Sequence, residues 1–495
     1  MTHIAHPKSS LSERNVSMLT DFYELTMSNG YLQLGLEDQI VIFDLFFRSI
    51  PEKGGYAIMA GLEQAIDYLA NLSFGPEDIA YLRSLNTFSE AFLDYLAHFK
   101  FSCDVWAFEE GMPIFPGEPI VKVRGPLPQA QMVETMLLLT INHQSLIATK
   151  STRIVRAAQG RPVMEFGARR AQGYDASVMG ARAAYIGGVA GTSCTLAGQQ
   201  FGILPLGTMA HSWVQCFPTE YEAFKAYAMN YPDNCQLLVD TYNTLHSGIP
   251  NAIRVAKEFL EPRGKRLRAI RIDSGDLTYL SMEARKMLDA HGLEDCGITL
   301  SNSMDEYTIQ EILRQGASVD SFGVGERLIT SKSEPVFGGV YKLSAVYHDG
   351  KPIPRMKFSD NPEKITNPGS KEVWRFYDQD TGFALADLIS LEGEEIDAQK
   401  PYTIFDPLHT WKKKTLTHFK AVKMLKPIFS KGECVYEACG LEAARQRCQD
   451  ELARLWDSIR RFENPQNYYV DLSYQLWELK EKMLADQAGS DHSFH

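Results

Sequence analysis

Between residues 162 and 330, short apolar segments alternate with polar or glycine-rich loops and helical patterns. The apolar segments are residues 163–166, 203–206, 237–239, 269–272, 297–300 and 319–322. Strands that alternate with helices are typical of βα units, in which the strands pair in parallel. Six such units in succession predict an α/β barrel, in which the loops at the carboxyl ends of the strands carry the chemistry.

The segments on either side of this region follow a different pattern. Residues 40–47 and 102–123 indicate β-strands, and the chain after residue 333 alternates strand patterns with turns such as the one at 348–350. Our hypothesis is that β-rich pieces from both ends of the chain form one domain, with the predicted barrel inserted between them.

The composition limits the classes of function. The 495 residues include 62 acidic and 50 basic ones, which gives a formal net charge of −12. A chain this acidic lacks the broad positive surface of a nucleic-acid-binding protein, although a local basic pocket for a small phosphorylated ligand is compatible with it. No apolar run approaches the roughly 20 residues of a membrane span, and the N-terminus has no apolar signal core, so we expect a cytoplasmic protein. None of the eight cysteines forms a CxxC pair, so neither a zinc ribbon nor a redox motif is predicted.

His211 follows a predicted strand and should therefore stand at the carboxyl end of the barrel. A histidine beside a tryptophan, here Trp213, is often a packed, hydrogen-bonded residue rather than a catalyst. A nucleophilic or acid–base imidazole needs an acceptor that orients its other nitrogen. Asp240, at the end of the next predicted strand, is placed by the topology to supply one.

Arg271 and Asp273 lie two residues apart in one predicted strand and so face the same side. An arginine beside a carboxylate at a strand end can bind an anion and position a hydroxyl group or a metal ion. A buried ion pair is the alternative interpretation.

Two further loops carry candidate ligand-binding groups. Glycines around Gly325 would let backbone N–H groups approach a phosphate at a helix N-terminus, or would simply form a turn. The Glu326 side chain must then point away from the phosphate or bind a cation. Phe166 could stack on a flat ring or belong to the core, and Arg169 could bind a carboxylate or phosphate or lie on a solvated face.

Nine motifs follow one another in a highly specific order between residues 20 and 345. They are TDFYELTM, EFGARRAQG, GTSCTLAG, GTMAHSW, LLVDTYNT, IRIDSGDL, LSNSMDE, FGVGERLITSKS and GGVYKL. Taken together, they resemble the nicotinate phosphoribosyltransferase family, and Thr208, Ala210 and His211 match the phosphohistidine motif of that family closely.

The resemblance implies the α/β fold of type II phosphoribosyltransferases. In that fold an irregular, TIM-like α/β barrel is joined to an α/β sandwich domain built from N- and C-terminal segments. We accordingly expect the catalytic barrel at residues 136–345 and the two parts of the sandwich domain at 1–135 and 346–495, the latter with terminal helices. The resemblance also implies a homodimer with shared active sites.

The implied reaction belongs to the salvage synthesis of NAD. Nicotinate and phosphoribosyl pyrophosphate would give nicotinate mononucleotide and pyrophosphate. ATP would be hydrolysed alongside through a phosphorylated histidine. Magnesium and arginines would stabilise the departing pyrophosphate.

The resemblance assigns nicotinate binding to four residues. Tyr23, from the neighbouring subunit, and Phe166 would stack on the two faces of the pyridine ring. Arg271 and Thr208 would lie near the carboxylate of nicotinate.

The remaining assignments concern phosphate, ribose and phosphoryl transfer. His211 would be phosphorylated, with Asp240 as its orienting partner. Asp273 would contact ribose hydroxyls or magnesium, and Arg169 would contact phosphate or pyrophosphate. The ribose and its 5′-phosphate would be held by Asn302 and by the backbone at Gly325 and Glu326. Relatives often have threonine at the position of Glu326, so a side-chain contact by Glu326 does not carry over.

Ser193 bears on the choice between acid and amide. The related nicotinamide enzymes have an aspartate at the matching position, which accepts a hydrogen bond from an amide and would repel a carboxylate. A serine hydroxyl can instead donate to a carboxylate. Because a mismatched buried group loses its partner, this position favours nicotinate.

Three alternatives stay open. The first is a phosphoribosyltransferase for nicotinamide or another pyridine such as quinolinate, which with two carboxylates would need a more basic pocket. The second is a non-catalytic nucleotide-binding protein, which would bind ligands without releasing pyrophosphate. The third is an unrelated barrel hydrolase that uses His211, for which Tyr23→Ala would be harmless.

Overall fold

The computed structural model describes residues 15–359, 361 and 364–491. The N-terminal segment in which we found no signal core precedes Asn15 and lies outside this part of the chain. The chain divides into two compact units, one of residues up to Leu146 together with those from Val336, the other Ile147–Pro335. Among the described residues, every helix is too short or too polar to span a membrane.

Strands and helices alternate in the middle of the described chain, whereas nine strands follow one another between Gly339 and Cys434. The strands are β1 (Ile40–Phe47), β2 (Ala57–Ile58), β3 (Asp104–Ala107), β4 (Pro113–Ile114), β5 (Val121–Pro126), β6 (Val163–Glu165), β7 (Gly191–Thr192), β8 (Gln236–Leu238), β9 (Ala269–Ile272), β10 (Gly297–Asn302), β11 (Ser321–Val324), β12 (Gly339–His348), β13 (Lys351–Pro354), β14 (Lys371–Asp378), β15 (Ala384–Leu391), β16 (Tyr402–Phe405), β17 (Lys413–Leu416), β18 (Phe419–Lys423), β19 (Lys426–Ser430), β20 (Glu433–Cys434) and β21 (Val470–Leu472).

The helices connect these strands in both units. They are α1 (Phe22–Gln33), α2 (Leu62–Asn71), α3 (Pro76–Ser84), α4 (Glu90–Ala97), α5 (Leu127–Met132), α6 (Glu134–Ala157), α7 (Tyr174–Ile186), α8 (Thr195–Phe201), α9 (His211–Gln215), α10 (Glu220–Asn230), α11 (Ile249–Val255), α12 (Leu277–Asp289), α13 (Glu306–Arg314), α14 (Glu326–Ile329), α15 (Leu441–Ala453) and α16 (Tyr474–Asp491). Short 3₁₀ turns occupy Pro51–Lys53, Ala168–Arg170 and Glu261–Arg263, and π-helical turns occupy Thr244–Gly248 and Ala256–Leu260.

The unit Ile147–Pro335 is built on a parallel sheet with the strand order β7–β6–β11–β10–β9–β8. A parallel bridge between Thr192 and Pro205 adds the 203–206 segment at the β7 edge. The chain thus visits the strands in the order of a barrel, and β11 returns to pair with β6. The described hydrogen bonds do not join the Pro205 segment to β8. The predicted α/β fold with a parallel sheet is confirmed, and the sheet has two open edges.

Two details of this sheet differ from the sequence-based prediction. We expected a full strand at 203–206, but only Leu204 O and Leu206 N bond to Thr192, on either side of Pro205, which has no N–H to donate. β7, which we did not predict, is two residues long and too short to show a period of two.

The domain boundaries expected at residues 136 and 345 fall within α6 and β12, about ten residues outside the unit Ile147–Pro335.

The other unit contains a seven-stranded antiparallel sheet that draws on both ends of the chain, as hypothesised. Its order is β13–β12–β1–β5–β3–β19–β20. β1 pairs with β5 on one side and with β12 on the other, so Phe47 lies opposite Gly339. Phe43 of β1 stacks on Tyr341 of β12 with ring centroids 4.8 Å apart, in a core that α2, α5 and α6 also line.

The second sheet of this unit has the strand order β18–β14–β15–β21. A fully buried arginine, Arg375 on β14, bonds Asp387 on β15. Arg375 makes bidentate contacts of 2.7–3.2 Å to Asp387, and its guanidinium carbon lies 5.3 and 5.9 Å from the ring centroids of Phe115 and Tyr468, which stack on each other. The nearby carboxyl group of Glu118 is also fully buried, and burial followed by repulsion from Asp387 raises its pKa well above the usual range. Burial and the neighbouring Asp387 therefore favour the protonated form of Glu118 in the folded protein.

Glu118→Gln should therefore remove a pH-dependent loss of stability. The folded state holds the Glu118 proton more tightly than the unfolded chain, so wild-type stability falls as pH rises above the unfolded pKa of about 4.3. We expect urea denaturation at several pH values to show the variant gaining on the wild type by up to about 1.4 kcal/mol per pH unit. As a control, Asp387→Asn should cost about 3–5 kcal/mol by leaving Arg375 unpaired. A pH-independent difference for Glu118→Gln would contradict the assignment.

Candidate active site

The candidate site lies at the carboxyl ends of β6, β9, β10 and β11, where the loops of a parallel sheet converge. Arg271, on β9, is its centre. Its Nε donates to Ser301 Oγ at 2.8 Å, Nη1 to Thr208 Oγ1 at 3.2 Å and Nη2 to Asp273 Oδ1 at 3.2 Å. The guanidinium carbon lies 5.7 Å from the Phe166 ring centroid. Since arginine has five N–H donors and three are used, two remain for an anionic ligand.

Asp273 links this centre to His211. Its Oδ1 accepts from Ser301 Oγ at 2.5 Å as well as from Arg271, and its Oδ2 lies 4.0 Å from His211 Nε2. Ser301 is buried and bonds both charged groups, so it fixes their relative position. Sequence reasoning missed Ser301. The available signal was a polar residue next to Asn302 at the end of a buried strand.

His211 begins α9, and its side chain is about two-fifths exposed. Its Nδ1 lies 3.1 Å from Thr241 Oγ1, so threonine stands where we expected Asp240. Asp240 is buried and braces the neighbouring loop, because its Oδ2 accepts from Asp273 N at 3.0 Å and from Ser274 Oγ at 2.6 Å. Its other oxygen, Oδ1, is buried and has no hydrogen-bond partner within the described part of the chain.

The two glycines of the GxG turn, Gly323 and Gly325, leave space that Phe166 occupies in the described structure. A Cβ at Gly323 would lie 2.5 Å from Phe166 Cδ2, and one at Gly325 would lie 3.0 Å from Phe166 O. Phe166 N also donates to Val324 O at 2.8 Å. The half-buried ring therefore lies directly against β11, and glycine at 323 is what makes that approach feasible.

Asn302 ends β10 in a conformation that is rare for residues other than glycine. Its φ is +147°, its Oδ1 accepts from Ser303 N at 2.6 Å, and its carbonyl accepts from Met304 N at 2.8 Å. Such backbone strain persists only where surrounding contacts enforce it, and it is concentrated at functional sites. The side chain is exposed at the strand end.

Three predicted residues occupy the rim of this sheet end. Glu326, the first residue of α14, bonds Lys332 Nζ at 2.5 Å and lies 3.9 Å from Arg170, and the bond to Lys332 holds the pKa of Glu326 below its usual range. The Glu326 carboxylate is therefore paired with the Lys332 ammonium group. Arg169 is exposed within a 3₁₀ turn, and Ser193 is exposed while its N–H donates to Glu165 O at 2.8 Å.

Glu165 is a supporting residue that sequence reasoning did not single out. It is fully buried, and its carboxylate accepts from Thr192 Oγ1 at 2.6 Å and from the N–H of Gly167. Burial raises its pKa. These bonds hold the starts of two loops, one leading to Arg169 and the other containing Ser193.

Tyr23 belongs to the other compact unit, on α1. Its ring is exposed over about two-fifths of its surface, while burial of the hydroxyl and a hydrogen bond to Glu134 raise its pKa. The residues that the structure brings into one contact network are Phe166, Thr208, His211, Asp240, Arg271 and Asp273.

Replacing Gly323 by alanine should displace the Phe166 ring. The added methyl group would meet the ring at 2.5 Å, and such overpacking costs about 1–3 kcal/mol. Gly207→Ala is the matched control in the same unit, since nothing lies within 4 Å of its Cβ, and should change stability by at most about 0.5 kcal/mol. Urea denaturation measures both. Equal stability of the two variants would mean that the ring does not rest on β11.

Comparison with known proteins covers nearly the whole chain. Residues 18–142 match the nicotinate phosphoribosyltransferase N-terminal domain, 162–373 the nicotinate phosphoribosyltransferase family, and 370–480 the nicotinate phosphoribosyltransferase C-terminal domain. Nicotinate phosphoribosyltransferase of Bacillus subtilis is 44% identical over 94% of both chains, and that of Homo sapiens is 32% identical over 95% of this chain and 97% of its own.

Solved structures agree with these matches. The crystal structure of human nicotinic acid phosphoribosyltransferase superposes with a TM-score of 0.84 at 31% identity, covering 94% of this chain and 99% of its own. A nicotinate-nucleotide pyrophosphorylase from Pyrococcus furiosus shares the fold, with a TM-score of 0.68 at 23% identity over 92% and 99% of the two chains. The chain belongs to the nicotinate phosphoribosyltransferase family.

Proposed function

We propose that this protein transfers the phosphoribosyl group of phosphoribosyl pyrophosphate to nicotinate in NAD salvage, and that it couples the transfer to ATP hydrolysis through a phosphohistidine at His211. Family membership supports the transfer reaction. The observation that carries the site assignment is Arg271, which is fixed beside Phe166 with two N–H groups to spare and which shares Asp273 with His211.

The ring-binding step follows from the surroundings of Arg271. The pyridine ring would lie on Phe166, and its carboxylate would accept the remaining N–H groups of Arg271 in a charge-assisted pair. Thr208 holds the guanidinium in place from the loop that also carries His211. Ser193, exposed at the next strand end, offers a hydroxyl donor, which suits a carboxylate rather than an amide.

The transfer forms one bond and breaks one. The lone pair of the pyridine nitrogen attacks C1 of the ribose as the bond from C1 to the pyrophosphate oxygen breaks, so no general base is needed. The ribose passes through oxocarbenium character, and the leaving group takes the electron pair. We expect Arg169 to stabilise the pyrophosphate charge, and Asn302 with the backbone at Gly325 to hold the ribose and its 5′-phosphate.

ATP coupling rests on the tautomer of His211. With its proton on Nδ1, donated to Thr241 Oγ1, Nε2 has a free lone pair and faces Asp273. Nε2 attacks the terminal phosphorus of ATP, the bond to the bridging oxygen breaks, and ADP leaves; water later removes the phosphoryl group. While it is present, the phosphoryl group adds negative charge near Asp273 and reorganises the shared network around Arg271.

The acidic residues of the site fit a magnesium ion that is held partly by the protein and partly by substrate phosphates. Among the described residues, no three His, Cys, Asp or Glu side chains are grouped to hold a metal. Magnesium is usually bound by one or two carboxylates with waters and substrate phosphates. The unpartnered Oδ1 of Asp240 and the carboxylate of Asp273 would supply them. When bound, the ion neutralises charge on the pyrophosphate.

We further propose a cytoplasmic homodimer in which Tyr23 completes the ring site of the partner. The helix that carries Tyr23 exposes other large apolar side chains, notably Phe22, Met27 and the neighbouring Leu34. Clustered exposed apolar residues are typical of protein contacts.

Pyrophosphate release is the direct test of the transfer reaction. Purified protein with phosphoribosyl pyrophosphate and magnesium should release pyrophosphate with nicotinate and far less with nicotinamide, and ATP should increase the nicotinate-dependent rate. Release with nicotinamide alone would overturn the Ser193 argument. Ligand binding without release from either pyridine would indicate a non-catalytic nucleotide-binding protein.

His211→Asn should separate transfer from ATP coupling. We expect ATP hydrolysis to fall by about 10²-fold or more, because the variant lacks the nucleophile, and the ATP stimulation of synthesis to disappear while basal transfer persists. His246→Asn replaces an exposed histidine of the same unit and should leave both rates unchanged. Full ATP-stimulated synthesis by His211→Asn would exclude the phosphohistidine.

A further inference from the structure

A cavity of about 850 Å³ lies in the unit built from both chain ends, and none of its lining residues belongs to the parallel-sheet unit. Its walls come from the β16–β17 hairpin, from β21 with the turn before it, and from the segment around Phe115. The volume is within the range of small-molecule sites, which have a few polar groups set in an otherwise closed wall. The reaction proposed above makes no use of this cavity.

Asp471, on β21, is the first feature that points to a ligand. The residue is only 5% exposed and lines the cavity, yet its carboxylate receives no hydrogen bond from the described residues. Burial, followed by repulsion from Asp406, raises the pKa of Asp471 to about 6. Burying a polar group costs free energy unless it is hydrogen-bonded, so a donor from a bound molecule would offset this cost.

The second feature is a cluster of lysines on the facing hairpin. Lys412, Lys413 and Lys414 follow one another and all line the cavity. Lys414 Nζ lies over the rings of Trp456 and Tyr469, at 5.2 and 5.1 Å from their centroids, and Lys412 Nζ is 3.9 Å from Asp406. Lys412 and Lys414 lie two residues apart and so face the same side, whereas Lys413 faces the other side of β17. Lys412 and Lys414 thus give this wall of the cavity two positive charges.

We propose that this cavity is a second ligand site, which binds a small phosphorylated molecule with hydroxyl or amine donors. Its phosphate would contact Lys412 and Lys414, and a donor group would bond Asp471. The exposed face of Tyr469 is available for a sugar or base. Phosphorylated sugars and nucleotides share this chemistry. The site goes beyond the proposed reaction and does not depend on it.

Calorimetric titration of the full-length protein tests the site, with ribose 5-phosphate, AMP and inorganic phosphate as separate probes. Such probes can also occupy the phosphoribosyl pyrophosphate site, so the comparison is between variants. We expect Asp471→Leu, and separately the double change Lys412→Gln with Lys414→Gln, to remove one binding event per chain or to weaken it at least tenfold. Asp349→Asn, an exposed carboxylate of the same unit, should have no effect. Binding by ribose 5-phosphate as well as AMP would identify the sugar phosphate as the recognised part, and binding by AMP alone would identify the nucleotide.

Stability measurements distinguish a ligand site from a structural role. Because Asp471 has no partner in the described structure, Asp471→Asn should leave the melting temperature of the ligand-free protein unchanged or raise it. A lower melting temperature would show that Asp471 has a structural partner and would overturn the proposal. The proposal would also fail if every probe bound the Asp471 and lysine variants as it binds the wild type, or if inorganic phosphate bound as well as the larger probes.

Discussion

The hydrogen bonds of Arg271 hold the candidate active site together. One guanidinium bonds Thr208 from the histidine loop, Asp273 from the end of its own strand and Ser301 from the adjacent strand, while lying near the ring of Phe166. Without it, Thr208 would lose its bond to the other two loops, and only Asp273 would link the histidine loop to Ser301. Because three donors are fixed by the protein, the remaining two have a set direction, and a bound anion finds them already oriented.

The sequence predicted the order of these loops but not the choice of partner within them. β1 and β9 have the predicted bounds, because each is a mainly apolar run with a single charged residue inside it, Asp44 or Arg271. The partner of His211 could not be predicted in the same way. Asp240 and Thr241 are neighbours at one strand end, and which of them reaches the imidazole depends on side-chain direction.

Short elements and supporting residues were also beyond the reach of pattern reasoning. β7 has two residues, and the Pro205 segment pairs through a single bridge, so neither shows a hydrophobic period. Ser301 and Glu165 are buried polar residues whose importance lies in the bonds they make across strands. A single sequence gives no measure of such bonds. Serine and glutamate are mostly exposed in proteins, so their identity alone does not mark them as buried residues that bond across strands.

The long-range pairing of β1 has a consequence for biosynthesis. Phe47 pairs with Gly339, 292 residues later, whereas the other edge of β1 pairs with β5 fewer than 90 residues along the chain. At about 5–20 residues per second, a ribosome needs roughly 15–60 s to make the chain between Phe47 and Gly339. Throughout that interval the nascent chain carries an apolar strand with one unpaired edge, which is a template for aggregation. The insertion of one unit within the other thus makes the first half of the chain dependent on protection until the second half has been translated.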